Sequence, residues 1–358
     1  MHLQDQLPLS FKPDSLIDVR SPAEFAEDHM PGAINLPVLT DAQRAEVGTL
    51  DRQTGPFEAR RLGARYACEN IAHHLSHHFA HLPRHHSIVL YCWRGGHRSR
   101  GFATILEAIG FPVTLIKGGY KTYRRHVIAS LDRLCPSLHF RVIHGLTGTG
   151  KTRLLHHLHQ RGRQVLDLEN LAAHKSSLLG RDPHRPQPAQ KGFESALLQT
   201  LSQFDPKIPI YVEAESRKIG NLSIPDPLWQ NLIASPVAEL HLPRDARIHH
   251  LLEDYQHFLT DPAWRTHLSQ RLDILRQRHS HATVDTWQTA IQEGRWVDLT
   301  ASLLDLHYDP LYRTTRYRPP IGPLHTPSLN LTDLDHVLTQ IDTLDWQCKT
   351  PNPPQALT

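Results

Sequence analysis

Short apolar runs alternate with stretches whose apolar residues recur every three to four positions, and the alternation occurs twice along the chain. Ser15-Leu-Ile-Asp-Val19 reads as a buried strand, because a brief apolar run bounded by polar residues is too short for a helix. Next, Ser21 can cap a helix that begins at Pro22 and carries Glu24 in its first turn. His29 to Pro37 reads as a turn leading into another extended piece. Leu62, Tyr66, Ile71, Leu75 and Phe79 place a long helix within 57–82. Ser87-Ile-Val-Leu-Tyr91 is a strand that delivers Cys92 at its C-terminal end. Phe102, Ile105, Leu106 and Ile109 then repeat at helical spacing before the stop at Gly110, and Val113 to Ile116 is a further strand. Strands alternating with helices imply a parallel sheet whose site lies at the strands' carboxyl ends.

A boundary near Cys135-Pro136 opens a second alternating unit. Phe140 to Ile143 is its first strand and Lys151 to Gln160 its first helix. Val165 to Glu169 and Ile210 to Glu215 read as strands that end in carboxylates. Residues 180–191, rich in Pro, Arg and Gln, read as an exposed loop. The pattern over 244–295 is helical and charged, and the proline-bearing tail after Pro319 reads as partly irregular. The predicted organisation is an α/β fold: an N-terminal parallel-sheet domain over 1–135, a P-loop α/β domain over 136–243, and a helical extension with an irregular tail over 244–358.

Composition changes this picture little. The chain has 358 residues, 39% of them hydrophobic and 21% charged, which suits two domains with separate cores. No apolar run approaches the length of a membrane span, and the start of the chain lacks a basic-then-apolar leader. The four cysteines show no Cys-x-x-Cys spacing, so neither a zinc site nor a disulfide framework is expected, and no resident metal is assigned. A reducing, cytoplasmic setting follows as the expectation. The net charge of +3 and the 28 histidines give a weak pull toward polyanions.

Two loops carry the chemistry. Tyr91-Cys-Trp-Arg-Gly-Gly-His-Arg-Ser99 surrounds Cys92 with Arg94, Gly95, Gly96 and Arg98. Convergent backbone N–H groups, the helix start that follows and the two arginines all favour thiolate, so the thiol should ionise below its free value and act as a nucleophilic group carrier. A buried structural cysteine would not need these glycines and arginines. Cys92 to Arg98 also has the Cys-x5-Arg length of a phosphatase loop, but no acid for the leaving group can be assigned.

The second loop, Gly-Leu-Thr-Gly-Thr-Gly-Lys-Thr (145 to 152), lies between a strand and a helix. Gly145, Gly148 and Gly150 let backbone wrap a phosphate, Lys151 adds a point charge, and Thr152 can ligate Mg²⁺ if a nucleotide is bound. Asp167, Glu213 and Glu215 stand where a metal- or substrate-holding acid would sit. The loop suits any diphosphate, and ATP hydrolysis does not follow from it.

Together these stretches resemble the tRNA 2-selenouridine synthases, bacterial enzymes with a rhodanese domain fused to a P-loop domain. The resemblance runs through Asp18-Val-Arg-Ser-Pro-Ala-Glu-Phe25, His29 to Pro37, Val47 to Leu50, Pro56 to Arg60, both loops, Val212 to Gly220 and His307 to Tyr312. One loop departs from it. Ala173-His-Lys-Ser-Ser177 stands where the family has His-Arg-Gly-Ser, and exchanging Arg for Lys alters bidentate anion contacts.

The resemblance implies a rhodanese-like first domain and a reaction on the wobble 2-thiouridine of tRNA. Sulfur is alkylated by geranyl diphosphate, and selenophosphate then supplies the selenium that displaces geranylthiol. Cys92 would carry selenium as a perselenide, and the phosphate loop would hold the allylic diphosphate. The implied partners are the tRNA anticodon stem-loop and a supplier of selenophosphate. Arg313, Arg316 and Tyr317, beside Tyr312 and Arg318, are candidate tRNA contacts, and Lys121 to Arg125 with Tyr123 is a second basic run. An ATP-dependent tRNA sulfurtransferase and a nucleotide switch with a non-catalytic rhodanese module remain as alternatives.

Overall fold

A computed structural model describes residues 2–4, 7, 9, 11–311 and 317–346. The chain forms two compact units, 1–131 with 188–198, and 132–187 with 199–358. The helical region after 243 therefore shares a unit with the phosphate loop, and the segment 188–198 belongs with the N-terminal sheet.

The first unit holds β1 (His2–Gln4), β2 (Ser15–Asp18), α1 (Pro22–Glu27), β3 (Ala33–Asn35), α2 (Asp41–Gln53), α3 (Pro56–His77), β4 (Ile88–Tyr91), α4 (His97–Ile109), β5 (Val113–Ile116) and the start of α5 (Tyr120–Leu134). Its sheet runs β1-β5-β4-β2-β3, all parallel. β4 is central and buried throughout, so Cys92 leaves the middle of the sheet. Ile17, Leu90, Phe102, Leu106 and Leu115 form the core, each side chain contributing about 1.5–3 kcal/mol by burial. α1 begins at Pro22, where Glu24 Oε2 accepts from Ser21 N at 3.2 Å, and α4 ends on Gly110 at φ +113°. α2 was not foreseen; it has no buried residue and so leaves only a faint apolar pattern.

The second unit holds β6 (Phe140–His144), α6 (Lys151–Gln160), β7 (Gln164–Leu166), α7 (Leu168–Ala172), α8 (Gln190–Leu201), which straddles the two units, β8 (Ile210–Glu213), β9 (Lys218–Ile219), β10 (Leu222–Ser223), α9 (Asp226–Ala234) and β11 (Val237–His241). Helices α10 (Arg244–Asp254), α11 (Gln256–Thr260), α12 (Pro262–Asp273), α13 (His281–Glu293) and α14 (Trp296–Leu303) follow, then a π-helical turn over 304–308, α15 (Asp309–Leu311), β12 (Gly322–His325) and α16 (Leu331–Thr343). Its sheet runs β12-β11-β6-β8-β7, again all parallel. Helices α11 to α14 enclose a separate core around Phe258, Leu272, Trp287 and Leu299.

One expectation is corrected here. The run Val165–Glu169 is not one strand: β7 stops at Leu166, and Asp167 caps α7 by accepting from Asn170 N at 2.8 Å. The tail beyond Pro319 is irregular in part, as expected, and also carries regular structure at 322–325 and 331–343. β12 tolerates Pro323 because it is the sheet's edge strand, and α16 buries Leu334, Val337 and Ile341.

Candidate active site: a thiol loop and a phosphate loop

In the first unit, Cys92 follows β4, and Gly96 precedes α4. The loop is clamped from the β5–α5 turn, where Tyr120 N donates to Cys92 O at 2.8 Å and Lys121 N to Trp93 O at 3.1 Å. Gly119 makes this approach possible: at φ +58°, a Cβ there would lie 2.1 Å from Cys92 O. Ser99 Oγ donates to Cys92 Sγ at 3.2 Å, the contact a sulfur anion needs. Cys92 is nevertheless enclosed, with 3% of its surface exposed.

Neither loop arginine hydrogen-bonds the sulfur among the described residues. Arg98 Nη1 donates to Glu24 Oε2 at 2.8 Å, while Arg94 is exposed. Among the described residues the cation buried in this unit is Arg20, which lies outside both loop motifs. It pairs with Asp18 at 2.6 Å with both side chains wholly buried, and its guanidinium lies 3.9 Å from the Tyr120 ring centroid. Tyr120 also donates to Asp28 Oδ2 at 2.7 Å. Asp18, Arg20 and Tyr120 thus brace the turn that clamps the thiol loop. Lys191 Nζ, from the 188–198 segment, pairs with Glu27 at 2.8 Å and lies 5.7 Å from the Trp93 ring.

In the second unit, residues 145–150 wrap the N-terminus of α6, with Gly148 at φ +80° and Gly150 at φ +79°. A Cβ on Gly148 would meet Leu251 of α10 at 2.8 Å, so α10 packs directly on the loop. Arg247 fixes that packing: Nε donates to Thr147 O at 2.8 Å, and Nη1 and Nη2 reach Asp309 at 3.0 and 2.6 Å. Lys151 Nζ donates to Gly145 O at 3.0 Å. Thr147, Gly148, Gly150, Lys151 and Leu251 line a cavity of about 950 Å³.

Three carboxylates converge there. Glu169, Glu213 and Glu215 bring oxygens within 4.8 Å of one another, and Thr152 Oγ1 lies 3.2 Å from Glu213 and 3.4 Å from Glu169. Burial first, then the neighbouring carboxylates, pushes Glu169 and Glu213 above the usual carboxylate range; burial does the same to Glu215. Glu213 and Glu215 were foreseen and Glu169 was not. Asp167 faces elsewhere, capping α7 and pairing with His156 at 3.0 Å. Its capping position, followed by Leu168 and Glu169, was the available signal. The set fits a hard divalent cation: every donor is oxygen, and buried Glu213 Oε1 has no hydrogen-bond partner.

Of the expected tRNA contacts Arg313, Arg316 and Tyr317, the described residues include Tyr317. Arg313 and Arg316 lie outside the described residues. Tyr317 lines the cavity instead of offering a free ring: its hydroxyl donates to Glu215 O at 2.9 Å, and its ring meets Trp229 edge-on at 5.7 Å. In the run from Lys121 to Arg125, Tyr123 is buried and Arg124 is paired with Glu194, which leaves Lys121 and Arg125 exposed. In the departing loop, Ser176 takes φ +44°, a backbone state that glycine adopts without strain. Lys175 there pairs with Asp254 at 2.8 Å and lies 4.7 Å from the Tyr255 ring.

Known proteins match along both units. Residues 3–126 match the family model of the rhodanese-like domain, and residues 138–319 match that of the tRNA 2-selenouridine synthase AAA domain. A tRNA 2-selenouridine synthase of Chromohalobacter salexigens is 34% identical, over 90% of this chain and 93% of its own. Its counterpart from Nitrosomonas europaea is 38% identical, over 72% of this chain and 67% of its own. The Aeromonas salmonicida protein is 32% identical, over 83% and 86%. Among the described residues no helix is long and apolar enough to cross a membrane.

Proposed function

The chain belongs to the tRNA 2-selenouridine synthase family, and on that premise we propose that it replaces sulfur by selenium in the wobble 2-thiouridine of tRNA in two steps, one at each loop. In the first, the 2-thio sulfur attacks C1 of geranyl diphosphate. The S–C bond forms, the C–O bond breaks, its electron pair leaves with diphosphate, and the base loses its N3 proton. In the second, the alkylated base, selenophosphate and water yield the 2-selenouridine base, geranylthiol and phosphate. Alkylation makes sulfur a leaving group, which gives the first step its purpose.

The phosphate loop is the seat of the first step. Backbone N–H groups at the start of α6 and Lys151 hold the diphosphate and take up the charge that develops as it leaves. Thr152, Glu169 and Glu213 would hold Mg²⁺, which supplies charge neutralisation on the departing diphosphate. The thiol loop is the seat of the second step. Selenium stays at the selenide level throughout. The Cys92 thiolate, with Ser99 donating to its sulfur, takes the phosphoryl group of selenophosphate and releases hydrogen selenide anion. That anion attacks C2 of the alkylated base and expels geranylthiol, and water then frees phosphate from the sulfur.

The observation that carries this reading is that one chain forms both cradles at the carboxyl ends of parallel strands: a hydrogen-bonded thiol after β4 and a phosphate loop after β6. The partners it implies are the tRNA anticodon stem-loop and a source of selenophosphate in the cytoplasm. The test is reconstitution with tRNA bearing 2-thiouridine, Mg²⁺, geranyl diphosphate, selenophosphate and a thiol, read by mass spectrometry of the nucleosides. S-geranylated and then selenated uridine should form without ATP. A strict need for ATP, with geranyl diphosphate dispensable, would transfer the reading to an ATP-dependent sulfurtransferase.

A further inference from the structure

A second, smaller recess opens off the phosphate-loop cavity. Thr147, Ser177, Leu251, Tyr255 and Tyr308 line both spaces, and Thr147 belongs to the phosphate loop itself. Beyond this mouth the recess runs into the core of the helical region. α14 supplies one wall with Trp296, Leu299, Thr300 and Leu303, whose spacing puts them on a single helix face. Phe258 and Leu268 add to the lining. No lining residue of the recess is charged, whereas the cavity it joins holds Lys151, Glu169, Glu213 and Glu215.

Such a pair of spaces sorts a ligand by polarity. Beyond the mouth only Trp296 and Thr300 offer a polar side-chain atom, so a nucleotide's sugar or base placed there would leave hydrogen-bonding groups unpaired, at a cost of about 1–3 kcal/mol for each. A hydrocarbon meets no such penalty. Size narrows the choice further. The recess measures about 80 Å³, against about 150 Å³ for a cavity that takes up benzene. It therefore accommodates roughly three or four carbons: a branched chain end, with the rest of the chain lying in the larger cavity.

We propose that this recess receives the terminal branched end of an allylic diphosphate whose diphosphate sits in the 145–152 loop, and that Thr300 sets the chain length the site accepts. The proposal rests on the allylic-diphosphate reading above and adds the subsite and the residue that measures the substrate. Arg247 keeps the two ends in register, since it ties α10, which contributes Leu251 to the mouth, to Thr147 O and to Asp309.

The experiment uses the full chain, tRNA bearing 2-thiouridine, and allylic diphosphates of five, ten and fifteen carbons, with kcat/KM for S-alkylation measured for each. Thr300→Phe fills the recess and should lower use of the ten-carbon donor about tenfold or more relative to the five-carbon donor, since a misfit of one or two carbons in an apolar pocket is worth about 10–200-fold. Thr300→Ala enlarges it and should move the fifteen-to-ten ratio the opposite way. Inorganic diphosphate should inhibit both variants as it does the wild type, showing an intact phosphate end, and thermal melting checks folding. Either variant, folded but with wild-type chain-length ratios, overturns the proposal. A wild type that alkylates with none of the three donors refutes the underlying reading instead, so the two failures are told apart.

Discussion

The thiol loop and the phosphate loop both sit at the carboxyl ends of parallel strands, but they are stabilised in opposite ways. The thiol loop is braced by a buried polar network in which Asp18 pairs with Arg20, Arg20 lies over the Tyr120 ring and Tyr120 donates to Asp28. Its arginines face outward or pair with Glu24, and its sulfur is left with one hydroxyl donor. The phosphate loop is built around unrelieved charge: three carboxylates held close together near Lys151, each with its ionisation opposed by burial. The first arrangement fixes a backbone; the second waits for a charged ligand. A brace should therefore show itself in stability, and a cradle in catalysis.

The largest effect should come from breaking the brace. Arg20→Ala leaves Asp18 buried without its partner, and removal of one member of such a pair costs about 3–5 kcal/mol. Denaturant unfolding of the full chain should show that loss in the transition assigned to the first unit. Lys151→Ala should behave in the converse way. It should leave the stability of the first unit unchanged while slowing S-alkylation about 10²–10³-fold, the usual cost of losing one preorganised charge stabiliser.

Smaller effects sharpen the contrast. Ser176→Gly should stabilise the second unit: the left-handed state costs a non-glycine residue about 1–2 kcal/mol, and glycine's extra chain entropy returns about 0.5–1 kcal/mol of that. A rise in melting temperature of about 2 °C is expected. The weakest signal concerns Glu24. Burial raises its pKa, but the hydrogen bond and charge of Arg98 prevail and leave it below its ordinary value of 4.5. A carboxylate lowered on folding contributes stability that is present above the unfolded value and lost as pH falls through the folded one. Melting temperature followed downward from pH 5 should therefore drop less steeply in Glu24→Gln than in wild type.

Much of this was legible in the residues. Strand-ending loops announce themselves, because glycines at positive φ and a strand-to-helix switch leave marks in the chain: α6 was placed at Lys151–Gln160 and α4 at its Gly110 stop. Contacts distant in sequence were not legible. Arg20 looked like one more polar residue in a turn, and only the fold buries it under Tyr120. Glu169 was obscured because Val165–Glu169 alternates like a strand, whereas Asp167 turns the chain into α7 and carries Glu169 to Thr152. The prolines after Pro319 read as a partly irregular tail, yet an edge strand accommodates Pro323. Tyr317 looked like a stacking platform because its neighbours are basic, and only its bonds to Glu215 reveal the cavity.

The claim beneath both comparisons is that each loop serves one step. The most direct measurement supplies tRNA already S-geranylated at the wobble position, with selenophosphate and a thiol, to Lys151→Ala and to Cys92→Ser, and follows 2-selenouridine by mass spectrometry. The account predicts selenation by Lys151→Ala near the wild-type rate and none by Cys92→Ser. Full selenation by Cys92→Ser, or its loss in a folded Lys151→Ala protein, would contradict it.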